Sequence, residues 1–414
     1  MVCFDTRTAA VLMRLDRNPF HHGTLGAARS LGRAGVPVHA VIESPAGPAA
    51  RSRYVSGSHP PPADNELTSV LAALDRVADR LAGPAVLVPM DDAGALAVEQ
   101  LRPRLHPRFR LPDQPSGLTA RVSDKAELAR TCRELGIPHP RTLEPADVEE
   151  AVAMARSLGL PVVAKWSRPW LLPAGSGLRS TTVVGTPREV RELYGDRARA
   201  GSALLLQRLL PPGRGLDWFF HAYCERSGVC GVAGTGRKER SWPDAAGLTA
   251  VGVWAPNPAV ERLARDLVAA LGYRGIVDLD FRLDPATGTY HLLDFNPRPG
   301  AQFRLFTDPA GLDVVRALHL DLTGRAVPAL ARCHGRRFVV ENYAALSVLS
   351  SPRRRPEAAG AARAAPAART ETAWYAADDP LPALAMARAW LAHAARKGWS
   401  AADRLTRLTR FTRR

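Results

Sequence analysis

Two short segments hold residues able to do charge-driven chemistry. Asp278-Leu-Asp280-Phe-Arg-Leu-Asp284 and Leu292-Leu-Asp294-Phe-Asn296-Pro-Arg298 flank the turn Pro285-Ala-Thr-Gly288. Side chains two apart on a strand share a face. Asp278 therefore points with Asp280, and Asp294 with Asn296 and Arg298. A hairpin centred on Ala286–Thr287 puts Asp280 opposite or next to Asp294. Two carboxylates and an amide oxygen beside an arginine suit a hard cation such as Mg²⁺, with further positions left to water and phosphate. Carboxylates that close repel unless a cation sits with them. A solvent-facing acidic hairpin is the plainer alternative, and the rest of the chain decides between the two.

The lysines weigh in favour of a site. Of 56 Lys and Arg residues only four are lysine: Lys125, Lys165, Lys238 and Lys397. Lys165 sits late in an apolar strand and Lys125 just inside a helix, both ahead of the hairpin. A lysine ammonium is a compact point charge suited to phosphate oxygens, whereas arginine needs a wider, fork-shaped site.

The elements that must carry these residues follow from periodicity. Ala9–Leu15, Val36–Ile42 and Ala85–Met90 are buried-strand runs that alternate with helical patterns over His22–Ala34, Glu66–Leu81 and Ala93–Leu101, which predicts a parallel sheet in a Rossmann-like domain over 1–115. Gly23 and Gly26 do not make a dinucleotide fingerprint. After the Pro-rich Leu111–Pro115, Ser123 is the expected cap of a helix reaching Leu135. The helix Ala146–Leu158 precedes the strand Pro161–Trp166, and Ser167–Arg179 is a loop centred on Gly175-Ser176-Gly177. Strands at Thr181–Val184 and Ala203–Leu210 complete a unit over 116–210. Trp218–Cys224, Val229–Ala233, a helix at Ala259–Leu271, the acidic hairpin and a helix at Pro309–Leu322 make another over 211–330. From 331 to 414 the chain changes character. Ser351–Thr370 has linker composition, Asp378-Asp379-Pro380 starts a helix over Leu381–Arg396, and Leu405, Leu408 and Phe411 alternate with arginines in a basic amphipathic pattern.

The formal net charge of +16 raises nucleic acid or an anionic membrane as partners. Residues 331–414 hold 16 Lys and Arg against 6 Asp and Glu, so most of the excess lies in this tail, and a bias toward arginine explains the remainder. The five cysteines form no C-x-x-C pair and suggest reduced thiols in a cytoplasmic protein. No apolar run reaches membrane-spanning length.

Taken together, Lys125, Pro161-Val-Val-Ala-Lys165, the glycine loop, Leu206-Gln207-Arg208-Leu209 and Asp280 with Asp294-Phe-Asn296-Pro-Arg298 resemble the ATP-grasp superfamily, over roughly residues 9–325. The likeness is greatest to its stand-alone carboxylate–amine ligases, similar to D-alanine–D-alanine ligase, and to the carbamoyl phosphate synthetase large chain. The resemblance implies an α/β and α+β architecture: a Rossmann-like pre-ATP-grasp domain, a two-subdomain ATP-grasp fold and a basic C-terminal helical extension. It implies ATP bound by Lys125, Lys165, Ser176 and Gly177, adenine read by Gln207 and the Arg208-Leu209 backbone, and ribose reached by Asp217. It further implies one or two Mg²⁺ ions, with Mn²⁺ able to substitute, on Asp280, Asp294 and Asn296, and Arg298 at the transferred phosphoryl group.

Asp294 stands where the superfamily commonly has glutamate and Gln207 where it has one at the adenine hinge. Asp278 takes the place of a cationic group. Lys238 and Arg240, in Gly236-Arg-Lys-Glu-Arg240 at a strand end, are the candidates to supply that charge. The activity implied is amide formation through an acyl-phosphate, with small-molecule carboxylate and amine substrates, no nucleic acid and room for a homo-oligomer. An ATP-dependent carboxylase working through carboxyphosphate would share every phosphate contact.

Overall fold

The computed structural model describes residues 2–44, 46–173, 175–242, 248–349 and 369–394. Three sheets organise them. The first is parallel, with β1 (Ala10–Met13), β2 (Val38–Val41), β3 (Gly57–His59), β4 (Ala85–Pro89) and β5 (Phe109–Arg110) in the order β3-β2-β1-β4-β5. The second is antiparallel, with β6 (Thr142–Leu143), β7 (Val162–Trp166), β8 (Thr181–Val184) and β9 (Leu204–Arg208) in the order β6-β9-β7-β8. The third and largest combines β10 (Asp217–Cys224), β11 (Val232–Trp242), β12 (Leu248–Trp254), β13 (Gly275–Asp284), β14 (Thr289–Asn296), β15 (Arg337–Val339) and β16 (Thr370–Thr372), in the order β14-β13-β10-β11-β12-β15-β16. The expected alternation in the first sheet is present. Its outer strands β3 and β5, three and two residues long, are too short for a periodic signal.

Alternation explains which way each sheet faces. In β7, Val162, Ala164 and Trp166 are buried with Ala151, Ala155 and Val190 from the helices Val148–Leu158 and Pro187–Gly195. Lys165 and Val163 therefore share the other face, with Leu205 and Gln207 of β9 as cross-strand partners. In the large sheet, Phe220 and Ala222 of β10, Val277, Leu279 and Phe281 of β13 and Phe295 of β14 pack on Val260, Ala264 and Leu267 of the helix Pro258–Ala270. Burial of each large apolar side chain contributes about 1.5–3 kcal/mol. That fixes the register, because a one-residue slip would turn this apolar set outward. The alternate residues of the same strands, Asp278, Asp280, His221 and Asn296, occupy the opposite face.

On that face β11 carries glycines for a steric reason. A Cβ at Gly234 would run into Phe306, which lies over the sheet in the short turn Phe303–Phe306, and one at Gly236 would run into Phe219 of β10.

The segment after 330 is woven into the fold. β15 pairs with β12 and β16 with β15, and the helix Glu341–Leu349 lies between them in sequence. Buried Asp379 accepts from Arg29 Nε (2.9 Å), Ser52 Oγ (2.7 Å) and Arg53 N (3.0 Å), tying this segment to the first domain. A helix at 381–394 follows Asp378-Asp379-Pro380 as expected. The linker-like stretch to residue 368 and the basic pattern at Leu405, Leu408 and Phe411 lie outside the described residues.

Two local expectations are corrected. Asp124, not Ser123, caps the helix Lys125–Glu134, its carboxylate accepting from the amides of Ala126 and Glu127. Asp124 accepts more strongly than a hydroxyl and also receives Ser167 and Arg168. The thiols are not all reduced either. Cys224 and Cys230, at the ends of the turn joining β10 to β11, form a disulfide, while Cys3, Cys132 and Cys333 are free. A hairpin turn brings together residues six apart, a geometry that a search for C-x-x-C pairs misses.

Candidate active site

The acidic hairpin forms in the anticipated register. Asp280 faces Asp294 and Asp278 faces Asn296 across β13 and β14. Each carboxylate has its own cation. Asp294 pairs with Lys125, Asp280 with Lys238 Nζ at 2.8 Å, and Asp278 with His221 Nε2 at 2.8 Å and Arg298 Nη1 at 3.8 Å. Lys165 Nζ donates to the carbonyl of Leu293 on β14 (2.9 Å).

Basic groups from five parts of the chain thus converge on one carboxylate ladder. The capping of Lys125–Glu134 by Asp124 anchors that helix to the end of β7, where Lys125 N also donates to Ser167 O (2.9 Å). Lys125 and Lys165 are set side by side in this way.

The electrostatics follow from crowding. Burial pushes the Lys165 ammonium down to about 8, opposed by the Asp294 charge and reinforced by Lys125. Burial also acts to raise Asp294, yet Lys125 and Lys165 hold it below the usual carboxylate range. Asp280 is raised, by burial first and then by the charges of Asp278 and Asp294, against the pull of Lys238. Burial likewise opposes ionisation of Asp278, but His221 and then Arg298 keep its carboxyl low.

Three contributors were not singled out from sequence. His221 was hidden inside an apolar strand, and only its register opposite Asp278 reveals it. Asp92 lies 206 residues before Arg298 and accepts from its Nε at 2.9 Å. Gly300 closes the cluster: a Cβ there would sit 2.5 Å from both Asp278 Oδ2 and His221 Cε1.

No family model matches the chain. It is 22% identical over 216 residues to the C-terminal section of the carbamoyl phosphate synthase large chain of Methanopyrus kandleri, covering 50% of this chain and 38% of that protein. This chain thus spans well under two thirds of that curated relative. Among solved structures, biotin carboxylase from Campylobacter jejuni, as its beta-gamma-ATP complex, superposes with a TM-score of 0.56 at 16% identity, over 77% of this chain and 72% of that one. N5-carboxyaminoimidazole ribonucleotide synthetase from Thermus thermophilus gives 0.57 at 18% identity, over 78% and 80%. The biotin carboxylase domain of 2-oxoglutarate carboxylase from Hydrogenobacter thermophilus, in complex with MgADP and bicarbonate, gives 0.55 at 16%, over 77% and 71%.

The chain has the ATP-grasp fold.

Within the ATP-grasp fold the remaining sequence-derived candidates fall into two groups. Gln207 lies on the Lys165 face of β9, buried, its Nε2 donating to Thr142 Oγ1 (2.8 Å). Arg208 turns its side chain to Asp284 (2.5 Å) while its N–H donates to Arg141 O. Leu209 follows at the end of this strand.

Of the second group only Lys238 is brought to the ladder. Ser176 and Gly177 sit in the connection between β7 and β8, where the Ser176 carbonyl accepts from Arg199 (2.7 Å). Asp217 is clamped in two contacts by Arg282 (2.6 and 2.9 Å) instead of standing open for a ribose. Lys238 and Arg240 lie within the long strand β11, not at a strand end. A bulge after Lys238 breaks the alternation, leaving Arg240 exposed while Lys238 reaches Asp280.

Among the described residues no group of three or more His, Cys, Asp or Glu is arranged to hold a metal. Two facing carboxylates plus the Asn296 amide are nonetheless a sufficient protein share for Mg²⁺, which keeps most of its positions for water and phosphate.

Proposed function

We propose that the protein is an ATP-dependent carboxylate–amine ligase. A substrate carboxylate oxygen attacks the γ-phosphorus of ATP, the bond to the β-phosphate oxygen breaks, and ADP leaves. An amine then attacks the acyl carbon, the C–O bond to phosphate breaks, and the amine loses a proton to give an amide. The observation that carries this reading is the Asp280–Asp294 ladder ringed by Lys125, Lys165, Lys238 and Arg298.

Each residue has a role in it. Lys125 and Lys165 release their present partners and receive phosphate oxygens. Gln207 and the Arg208-Leu209 backbone border the base. Asp280, Asp294 and Asn296 would hold Mg²⁺, which supplies charge neutralisation on the β- and γ-phosphates. Arg298, held by Asp92, steadies the acyl-phosphate, and Lys238 compensates the negative charge that Asp278 places where a cation was expected.

The test is product analysis with ATP, Mg²⁺ and a panel of acids in the presence of hydroxylamine. ADP, phosphate and a hydroxamate are expected; AMP and pyrophosphate would exclude an acyl-phosphate. The structural similarity to enzymes named as carboxylases supports a second reading, transfer through carboxyphosphate. ADP release that requires bicarbonate and yields no hydroxamate would establish that reading instead.

A further inference from the structure

The first loop of the parallel sheet approaches the Arg298 end of the ladder through His21. This loop leaves β1 with the Leu15 and Asp16 amides on Asp91 Oδ2 (2.7 and 2.5 Å), next to the Asp92 that holds Arg298. It ends at His21, the cap of the helix His22–Arg33. A Cβ on Gly23 would stand 2.9 Å from Ala301 Cα and 3.0 Å from His21 Cε1, so the imidazole flanks the turn that follows Arg298. Open α/β sheets take their ligands at this end, beyond the carboxyl ends of the strands.

The capping contact fixes where the ring carries its proton. Nδ1 accepts from the Thr24 N–H (3.2 Å) and lies 2.9 Å from Thr24 Oγ1, so in the neutral imidazole the hydrogen is on Nε2. Burial first, and then the charges of Arg14, His22 and Arg298, hold the group well below the usual histidine range. His21 is therefore neutral near pH 7. The ring is only half-buried, and Nε2 is accessible with no partner among the described residues.

A donor of this kind answers a need of the chemistry. When an amine attacks an acyl-phosphate, negative charge gathers on the former carbonyl oxygen, in a site where Asp278 already adds a carboxylate. Lys238 is engaged by Asp280 (2.8 Å), and Arg298 is shared among Asp92, Asn296 and Asp278. Arg240 is exposed. His21 brings an N–H to which no carboxylate is bound, and a neutral ring forms no ion pair with Asp278.

We infer that His21 is a catalytic residue of the second half-reaction, donating its Nε2–H to the acyl oxygen beside Arg298. This rests on the ligase reading above. The amine nitrogen bonds to the acyl carbon, the carbonyl π pair moves onto oxygen, and His21 and Arg298 stabilise that oxyanion. The pair then returns to the carbon, the C–O bond to phosphate breaks, and phosphate leaves with the bonding electrons. The nitrogen gives its proton to solvent, and the His21 proton stays on Nε2 throughout.

Two measurements on the full chain test this. Long-range proton–nitrogen correlation on protein with nitrogen-labelled histidine reports the tautomer without any substrate, the His21 signals being those lost in His21→Asn. A proton on Nε2, a bare Nδ1 and no titration between about pH 6 and 8 are expected. A proton on Nδ1, or titration in that range, would overturn the inference. The kinetic arm uses the acid selected by the hydroxamate panel, with hydroxylamine as the amine. Asparagine keeps a side-chain oxygen for the Thr24 amide but does not reach as far as Nε2. In His21→Asn the first-turnover burst of ADP should stay within about twofold of wild type, while transfer to hydroxylamine slows about 10²-fold. His21→Gln restores a neutral N–H at similar reach and should recover at least about tenfold of that loss. Equal losses in burst and transfer, no loss in either, or no recovery in His21→Gln would overturn the assignment and leave the ligase standing. Bicarbonate-dependent ADP release with no hydroxamate from any acid would overturn both.

Discussion

Arg298, two residues beyond β14, donates to Asp92 at the start of the helix after β4, joining the large sheet to the parallel sheet at the edge of the carboxylate ladder. The guanidinium is held from three sides, since Asn296 Oδ1 accepts from its Nη2 at 3.2 Å and Asp278 lies 3.8 Å from Nη1. The site therefore depends on how the first domain docks as well as on its own hairpin. Asp92→Ala should lower kcat by about tenfold or more through a misplaced Arg298 and leave the affinity for ADP unchanged. Equal losses in both would mean that Asp92 supports the fold as a whole.

Removing ladder charge should be far more costly. Asp294→Asn is expected to reduce ADP release by about 10²–10³-fold, on the scale seen when one electrostatic group in a catalytic centre is lost, while far-UV circular dichroism stays native. Retention of more than a tenth of the activity would contradict a role for Asp294 at the phosphates.

The depressed ammonium of Lys165 gives a pH signature. The group is charged below about 8 and neutral above it. Nucleotide affinity should therefore be flat from about pH 6 to 7 and weaken as pH rises through about 8. Lys165→Arg stays charged and should move that transition away. Isothermal titration across this range measures it, and affinity unchanged up to about pH 9.5 would contradict the assignment.

Gly300 permits a close approach that no side chain allows. In Gly300→Ala the added methyl meets Asp278 and His221 at 2.5 Å, so either the pair or the turn must shift. Activity should fall at least about tenfold, with overpacking costing about 1–3 kcal/mol in denaturant unfolding.

The thiol count separates the disulfide from free cysteines. Under denaturing, non-reducing conditions three thiols should titrate, those of Cys3, Cys132 and Cys333, and five after reduction. In the folded protein Cys132, buried and pushed up to about 12, should be the slowest of the three to react.

Much of the ladder was legible because a hairpin is a local object. Its turn fixes which residues face each other, and alternation fixes the face, so Asp280 and Asp294 could be paired from spacing alone. Lys125 and Lys165 were legible through their rarity among arginines. What escaped was non-local or competed with a stronger local signal. Asp92 reaches Arg298 only through domain docking. His221 was masked by its apolar strand, and Asp217 was free on paper because its partner Arg282 is a cross-strand neighbour. The bulge in β11 that separates Lys238 from Arg240 leaves no periodic trace. The three-residue strands β15 and β16 were too short to announce that the last part of the chain completes the large sheet.

That last feature makes residues 369–394 an internal ligand. Asp379 fills a receptor built from Arg29, Ser52 and the Arg53 amide, and Glu371 binds Arg304 and Arg336. The segment is held as a docked peptide is held, by complementary charge at a few anchor points, by the pairing of β16 with β15 and by the burial of Trp374 and Met386 in the core. The covalent tether only sets the local concentration at which it meets its receptor. Undocking it would bare Arg29, Arg304 and Arg336 together, turning a neutralised seam into a basic one.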